Sequence, residues 1–283
     1  MSNYRDYQAK VIAHSKSPEG HEVVTFNLSY WRAIHAELMT HKAPSRNASS
    51  SRAIPVQRML KMVWSDPARP IYWGSNRPGM QAGEELTGWR RLVARMLWRS
   101  AAVSAVAHSW GLMKVGLHKQ VANRVTEPYQ RINVVFTVQR ACLEDIFALR
   151  DHPSAQPEFR VLAQEMKAAL SISIPRQLRH GEWHLPFVHP GADRGLELPQ
   201  QLAASAARCA RVSYMNHDGS TPDIRKDVEL HDSLKGSVPP HMSPFEHQLK
   251  CMPLYLVESK NQYANFYGFM PYRTMMERDF SPV

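Results

Sequence analysis

Few stretches of this chain read as β-strand, and the helical stretches between them do not alternate with them one for one, which restricts the fold more than any other feature. Residues 21–28 are β-rich with Val24, Phe26 and Leu28 on one face, and residues 132–138 are nearly all β-branched or aromatic. Helical spacing runs through residues 54–64, with apolar side chains at Val56, Met59, Leu60, Val63 and Trp64, and again through 144–150, 155–170, 202–209 and 224–234. The longest such pattern spans residues 84–116. Its stripe of Leu86, Trp89, Leu92, Val93, Met96, Leu97, Val103, Val106, Trp110 and Met113 is read as core. Strands scattered among helices in this way give an α+β class rather than a doubly wound sheet. Neither a GxGxxG after a strand nor a GxxxxGK[ST] is present, so no standard dinucleotide fold or P-loop is indicated.

Between these elements, residues 1–20 carry no clear period and read as a lead-in, and residues 116–128 read as a further helix stopping at Pro128. Residues 67–83 form an ordered loop rich in Pro, Gly and Asn, and residues 171–200 are interrupted by Pro and Gly. The sequence His217-Asp218-Gly219 marks a turn, and the tail 265–280 is aromatic and rich in Met. Ser243, Pro244 and Glu246 have the spacing of a capping box that opens a helix.

With 283 residues the chain can bury a sizeable core. It lacks the run of about 18 apolar residues that spans a membrane, and its first residues lack a secretory apolar segment, so a cytoplasmic protein is expected. Its three cysteines are far apart and odd in number, which disfavours disulfides and thiolate zinc sites. His180, His184 and His189 do not share a helical face, because Gly181 and Pro186 interrupt them, so no metal is expected. A net charge of +10 points to anionic partners. The Lys and Arg residues are dispersed, and no nucleic-acid-binding module is recognisable, so small phosphorylated ligands are preferred to nucleic acid.

One segment does not belong to any core. Residues 40–52, Thr40-His41-Lys42-Ala43-Pro44-Ser45-Arg46-Asn47-Ala48-Ser49-Ser50-Ser51-Arg52, set cationic and imidazole groups among four serines and one asparagine. By itself this is a solvated Ser-rich loop or a cradle for a phosphate or planar anion. Arg124 and Arg160 lie on helices among apolar neighbours, where a guanidinium must reach solvent, meet a carboxylate or face a ligand.

Three segments together resemble the flavin-dependent thymidylate synthases. Residues 40–52 follow that family's RHRxxSxNxxSxR signature at its His, its serines, its Asn and its last Arg. Ala210-Arg211-Val212-Ser213 and His241-Met242-Ser243-Pro244-Phe245-Glu246-His247 resemble its ARVS and HxSPFEH segments. Leu149-Arg150 followed by Ala155-Gln156-Pro157-Glu158-Phe159-Arg160 resembles its LR and AQxEIR. The order differs. ARVS and SPFEH here follow the signature, so residues 1–283 resemble a single, circularly permuted catalytic domain with a family-external extension at 251–283.

The resemblance implies a central, mostly antiparallel sheet flanked by helices and reductive methylation of dUMP to dTMP. The cofactors implied are FAD, NADPH and 5,10-methylenetetrahydrofolate. It assigns catalysis to Arg160, which faces the pyrimidine, together with Ser50. It assigns the nucleotide to Ser50, Ser51, Arg52, Arg124 and Arg160, and the flavin to His41, Lys42, Ser45, Asn47, Arg150, Ser213, Ser243 and Glu246, with His241 near the folate. A homotetramer with shared active sites is the expected assembly. Thr40, Lys42 and Ala48 depart from the signature, and Glu37 stands where a Gln is common. These departures leave open dCMP as acceptor or a hydroxymethyl product. A homologue that binds nucleotides or nucleic acid without catalysis is the reading from a different class.

Overall fold

The structure is a computed structural model and describes residues 7–189, 191–212, 220, 223–253 and 265–279. In chain order the elements are β1 (Gln8–Lys16), β2 (Glu22–Trp31), a 3-10 turn (Arg32–Ile34), α1 (His35–Leu38), β3 (Ser45–Ala48), α2 (Val56–Ser65), α3 (Gly88–Lys114) and α4 (Lys119–Ala122). A 3-10 segment (Asn123–Tyr129), β4 (Arg131–Gln139), α5 (Arg140–Arg150), α6 (Pro157–Ser171), β5 (Arg176–Gln177) and β6 (Trp183–His184) follow. The rest comprises α7 (Leu198–Ala210), α8 (Ile224–Gly236), a 3-10 turn (Ser243–Glu246), β7 (Leu249–Cys251), β8 (Phe269–Pro271) and α9 (Tyr272–Asp279).

The class is α+β. A five-stranded sheet has the order β3-β4-β2-β1-β5, antiparallel except where β5 joins β1, and a second sheet has the order β6-β7-β8. The register of β2 on β4 sets Phe26 opposite Phe136 and Thr25 opposite Thr137. Because side chains alternate along a strand, this register separates two faces. Val24, Phe26, Leu28 and Tyr30 of β2 lie with Ile132, Val134, Phe136 and Val138 of β4 in the main core, against Leu143 and Phe147 of α5 and Phe159, Leu162 and Met166 of α6. The opposite face meets Phe187, Cys209 and Val212 around Val135.

That opposite face also carries Thr25 and Thr137, and burying their hydroxyls requires partners. They find them in a continuous chain: Ser15 Oγ to His184 Nδ1 (2.9 Å), His184 Nε2 to Thr25 Oγ1 (2.7 Å), Thr25 Oγ1 to Thr137 Oγ1 (2.8 Å) and Thr137 Oγ1 to His247 Nδ1 (2.8 Å). One polar thread thus ties β1, β2, β4 and β6 to the residue after the Ser243–Glu246 turn.

Four expectations are corrected. The lead-in contains β1, whose apolar alternation is concealed by a bulge between Val11 and Ala13. The segment 40–52 is not all loop: its centre is β3, the edge strand, paired from Ser45↔Thr137 to Ala48↔Val134. Residues 116–128 form only the short α4 and a 3-10 segment that contains Pro128. The capping box is not made, since Met242 is the N-cap of a 3-10 turn without a side-chain cap bond.

A fifth correction concerns α3. Its side turned to the protein buries Ala102 and Ser109, but Trp89, Leu92, Val93, Met96, Leu97 and Trp110 are exposed. Only the Val106 and Met113 end of the stripe packs against a core, that of α2, and the six exposed residues do not. The helix is apolar on most sides, so its periodicity could not show which side would be covered.

Candidate active site

The strand β3 is the platform of the site. It leaves Asn47 buried, and the Asn47 amide donates through Nδ2 to the carbonyl oxygen of Cys209 at 2.7 Å. Cys209 is next to the last residue of α7, so the bond joins the Ser-rich segment to residues 210–212. Val212 holds a left-handed φ of 56°, a costly conformation for a β-branched residue, at the point where this segment turns under the sheet. The turn is braced from behind. Arg208 grips Asp193 with both terminal nitrogens at 2.8 Å and Asp227 through Nε at 3.0 Å, while Arg211 pairs with the other oxygen of Asp227. Burial alone would raise the Asp193 pKa, but the Arg208 hydrogen bonds and the His189 amide outweigh it and hold the carboxyl below its usual value.

The Ser243–Glu246 turn packs against β3 from the C-terminal part of the chain. There the Glu246 carboxylate is paired with Arg273 of α9. Asn265 donates to the Lys42 carbonyl oxygen at 3.3 Å, so the C-terminal segment also touches the Ser-rich stretch. Segments that lie about 200 residues apart in sequence therefore meet at one edge of the sheet.

At the start of the Ser-rich stretch, Arg150 from the end of α5 organises a second cluster. Its Nε donates to His41 Nε2 at 3.0 Å, Nη1 to Glu37 Oε2 at 3.0 Å and Nη2 to the Thr40 hydroxyl at 3.1 Å, with its guanidinium 4.5 Å from the centre of the Phe159 ring. Burial first, then Arg150 and Arg46, lowers the His41 pKa, so the ring is neutral and Nε2 accepts. Arg160 lies one helix further on. Its partner is Asp151 at 3.6 Å, a carboxylate already held by Lys167 at 2.6 Å and Gln164 at 2.9 Å. The Arg160 Nε is buried with no hydrogen-bond partner among the described residues. A guanidinium beside a carboxylate that is already neutralised keeps most of its charge for a ligand.

A third cluster gathers at the far end of β3. The Ser51 hydroxyl donates to Glu127 Oε1 at 2.8 Å, and Arg124 lies 3.6 Å from the other oxygen of Glu127. Asn123 Nδ2 donates to the Ser51 and Ile54 carbonyl oxygens at 2.7 and 2.9 Å, which fixes the turn at residues 50–53. Within the turn, the Arg52 amide donates to Ser50 Oγ at 3.3 Å, and the Arg52 side chain is exposed.

Of the residues expected at the site, the fold brings His41 onto Arg150, Ser51 and Arg124 onto a shared Glu127, and Asn47 onto the 209–212 segment. It pairs Arg160 with Asp151 instead of joining it to Ser50 and Arg52. Lys42 and His241 are exposed, Ser45 is half-buried on β3, and Ser243 lies on the adjoining turn. Ser213 lies outside the described residues. Sequence reasoning missed Arg32, Phe159 and Glu127. Arg32 donates to the Ser49 carbonyl oxygen at 3.2 Å, and its buried Nε has no hydrogen-bond partner among the described residues. Its only advance signal was a guanidinium placed directly after an apolar strand. Among the described residues no three His, Cys, Asp or Glu side chains are placed to hold a metal, and no helix is long and apolar enough to cross a membrane.

A sequence profile of the family described as thymidylate synthase complementing protein matches residues 3–176, more than half of the chain. The chain belongs to that family. As a member it is a flavin-dependent thymidylate synthase-like methyltransferase, and the family chemistry is methylation of dUMP at C5. The match ends at residue 176, before the two C-terminal segments that meet β3, residues 209–212 and the Ser243–Glu246 turn. Among solved structures, the chain is similar to a UMP/dUMP methylase, PolB, from Streptomyces cacaoi bound with 5-bromo-UMP. That pair shares 18% identity and a TM-score of 0.46, covering 59% of this chain and 89% of the other. The same methylase bound with 5-bromo-dUMP gives 21% identity and a TM-score of 0.44 over 53% and 67%. Thymidylate synthase X from Helicobacter pylori with FAD and dUMP gives 16% identity and a TM-score of 0.37 over 52% and 67%. No functionally curated protein is similar enough to count as a relative.

Proposed function

We propose that this family member methylates dUMP at C5 to give dTMP, taking the one-carbon unit from 5,10-methylenetetrahydrofolate. Bound FAD, reduced by NADPH, supplies the hydride. The observation that carries this reading is the contact of Arg150 Nε with His41 Nε2, which unites two separate motifs at a half-buried, cationic corner. The chain's own groups fit a planar, anionic cofactor. Arg46 lies on β3, Arg32 reaches the Ser49 carbonyl oxygen just after it and Arg150 holds His41 just before it, and Arg32 and Arg160 each bury a donor without a hydrogen-bond partner among the described residues.

In this reading Arg160 faces the pyrimidine. Uracil C5 is a weak nucleophile until the charge developing on the ring is stabilised, and a fixed guanidinium does this without reorganising. Ser50, Ser51, Arg52 and Arg124 hold the phosphate and sugar, and Glu127 pre-orients two of them. His41, Lys42, Ser45, Asn47, Arg150, Ser213, Ser243 and Glu246 line the flavin, with His241 toward the folate. No cysteine belongs to these motifs, and both Cys209 and Cys251 are buried with thiol pKa values pushed up by burial, that of Cys251 to about 11. That leaves the ring to be activated by charge stabilisation and not by thiolate addition.

A second acceptor is favoured by one pair. The Glu37 carboxylate, bonded to Arg150 at 3.0 Å, stands where the family commonly has Gln, and a carboxylate accepts from an amino group that uracil lacks. The test is incubation of the purified protein with dUMP or dCMP, labelled methylenetetrahydrofolate, FAD and NADPH. Labelled dTMP is expected. A methylated or hydroxymethylated cytosine nucleotide would move the assignment to the second acceptor, and a colourless protein that transfers no label would end both readings. We also propose that residues 1–283 work as one catalytic domain, with 251–283 as its extension, in a cytoplasmic homotetramer.

A further inference from the structure

The outward side of α3 carries a feature that the single chain does not use. Residues 89, 93, 96, 100, 104, 107 and 111 fall on one stripe of the helix, and all but the half-buried Gly111 are exposed. The stripe contains no charged residue. Its first half is bulky (Trp89, Val93, Met96) and its second half small (Ser104, Ala107, Gly111), with Ser100 between them. The spacing reads the same in both directions from Ser100. A two-fold axis through Ser100 therefore sets Trp89 against Gly111, Val93 against Ala107 and Met96 against Ser104, a large side chain against a small one at every level.

We propose that α3 pairs antiparallel with α3 of a second copy of this chain about that axis. Four observations support a second copy as the occupant. First, Gly111 lies inside the helix with no atom within 4 Å of where a Cβ would stand, so the single chain gains nothing from a residue that weakens its helix. A glycine there makes sense if a partner's side chain comes close. Second, an open apolar recess of about 680 Å³, lined by Ala107, His108, Gly111, Leu112, Val115 and Val125, lies where the axis delivers the partner's Trp89.

Third, Arg90, Arg91, Arg95 and Arg99 all lie in the first half of the helix, and α3 carries no acidic residue. Antiparallel pairing places the two copies of Arg90, Arg91 and Arg95 about 30, 27 and 15 Å apart along the helix at 1.5 Å per residue, beyond the screening length of about 8 Å, while Arg99, next to the axis, is turned onto the Val63 and Trp64 carbonyl oxygens of its own chain. Parallel pairing would place them side by side. Fourth, Trp89 is 74% exposed, Leu97 65% and Trp110 53%. With Leu92, Val93 and Met96 they offer roughly 700 Å² of apolar surface per copy, in the range of a specific interface when two copies meet. The match of a surface to itself about an axis is what an isologous interface requires. The pairing stands whether or not the chain methylates a nucleotide.

The test uses the full chain. Light scattering should give a mass that is an even multiple of 32.3 kDa, and a monomer would overturn the proposal. Ser100→Cys should form a reducible, SDS-resistant dimer, whereas Arg95→Cys, exposed but off the stripe, should not. Equal cross-linking of the two would overturn it. Gly111→Leu separates a folding defect from an interface defect, because it fills open space and removes a helix-weakening residue. Its far-UV circular dichroism should keep the wild-type helix content, while its dimer dissociation constant should rise on the order of 100-fold. A Gly111→Leu protein that keeps the wild-type assembly would also overturn the pairing.

Discussion

Lowering the pH from 7 to 5 is expected to cost this protein at least about 4 kcal/mol of folding stability through His184 and His247. Both side chains are fully buried and sit in the hydroxyl chain that runs through Thr25 and Thr137. Burial draws both pKa values down from 6.5 to about 3, and Arg176, His14 and His247 add to the shift of His184. The unfolded chain therefore takes up protons below pH 6.5 that the folded chain refuses until about pH 3. Stability is whole above pH 6.5 and falls by about 1.4 kcal/mol per pH unit and per histidine as the pH drops through that window. At pH 5 this amounts to roughly 2 kcal/mol for each. His14, His35 and His41 are also held low by burial and act in the same sense. Urea unfolding followed by tryptophan fluorescence at pH 7, 6 and 5 reads the loss, and His184→Gln should reduce it by about 2 kcal/mol. A total loss under about 2 kcal/mol, or a His184→Gln protein as acid-sensitive as the wild type, would refute the reasoning.

Three further outcomes are expected. Asn47→Ala leaves the buried Cys209 carbonyl without its donor and should destabilise the protein by about 1–3 kcal/mol, seen as a lower urea midpoint. Asp227→Asn removes the shared counter-charge of Arg208 and Arg211 and should cost about 3–5 kcal/mol in the same assay, whereas a neutral result would show the cluster to be dispensable. Arg160→Lys should slow nucleotide turnover on the order of 100-fold with little change in unfolding, because its guanidinium is half-exposed and weakly paired in the fold. Unchanged turnover would remove Arg160 from the chemistry.

The sheet's centre was legible because β2 and β4 are buried on both faces and therefore almost wholly apolar or β-branched. The strand β1 was not, since it is half-exposed and its bulge breaks the alternation that marks a strand. For β3, serine and arginine at the sheet edge look like a loop, and only pairing with β4 makes them a strand. The bounds of α2, α6 and α8 came close because each has one apolar stripe, with α2 stopped by Asp66-Pro67 and α8 by Gly236, whereas α7 begins at Leu198, four residues before the expected start. The stripe of α3 was visible, but periodicity reports only that a face needs covering and not by what.

In the site, the motif residues could be named from sequence, yet their partners could not. Glu127 for Ser51, Cys209 for Asn47 and Arg273 for Glu246 come from segments 27 to 162 residues away. Glu246 and Ser243 had been explained by a local cap. The structure gives Glu246 a long-range ion pair instead, because the segment makes only a four-residue 3-10 turn and leaves no α-helix to cap.

A crystal structure with FAD and dUMP bound tests most directly whether residues 40–52 and the returning segments 209–212 and 241–247 form one site. The predicted result is a flavin against His41, Asn47 and the Ser243–Glu246 turn, with Arg160 turned from Asp151 to within hydrogen-bond reach of the pyrimidine. Ligands bound away from β3, or Arg160 still paired with Asp151 while the nucleotide is bound, would contradict it.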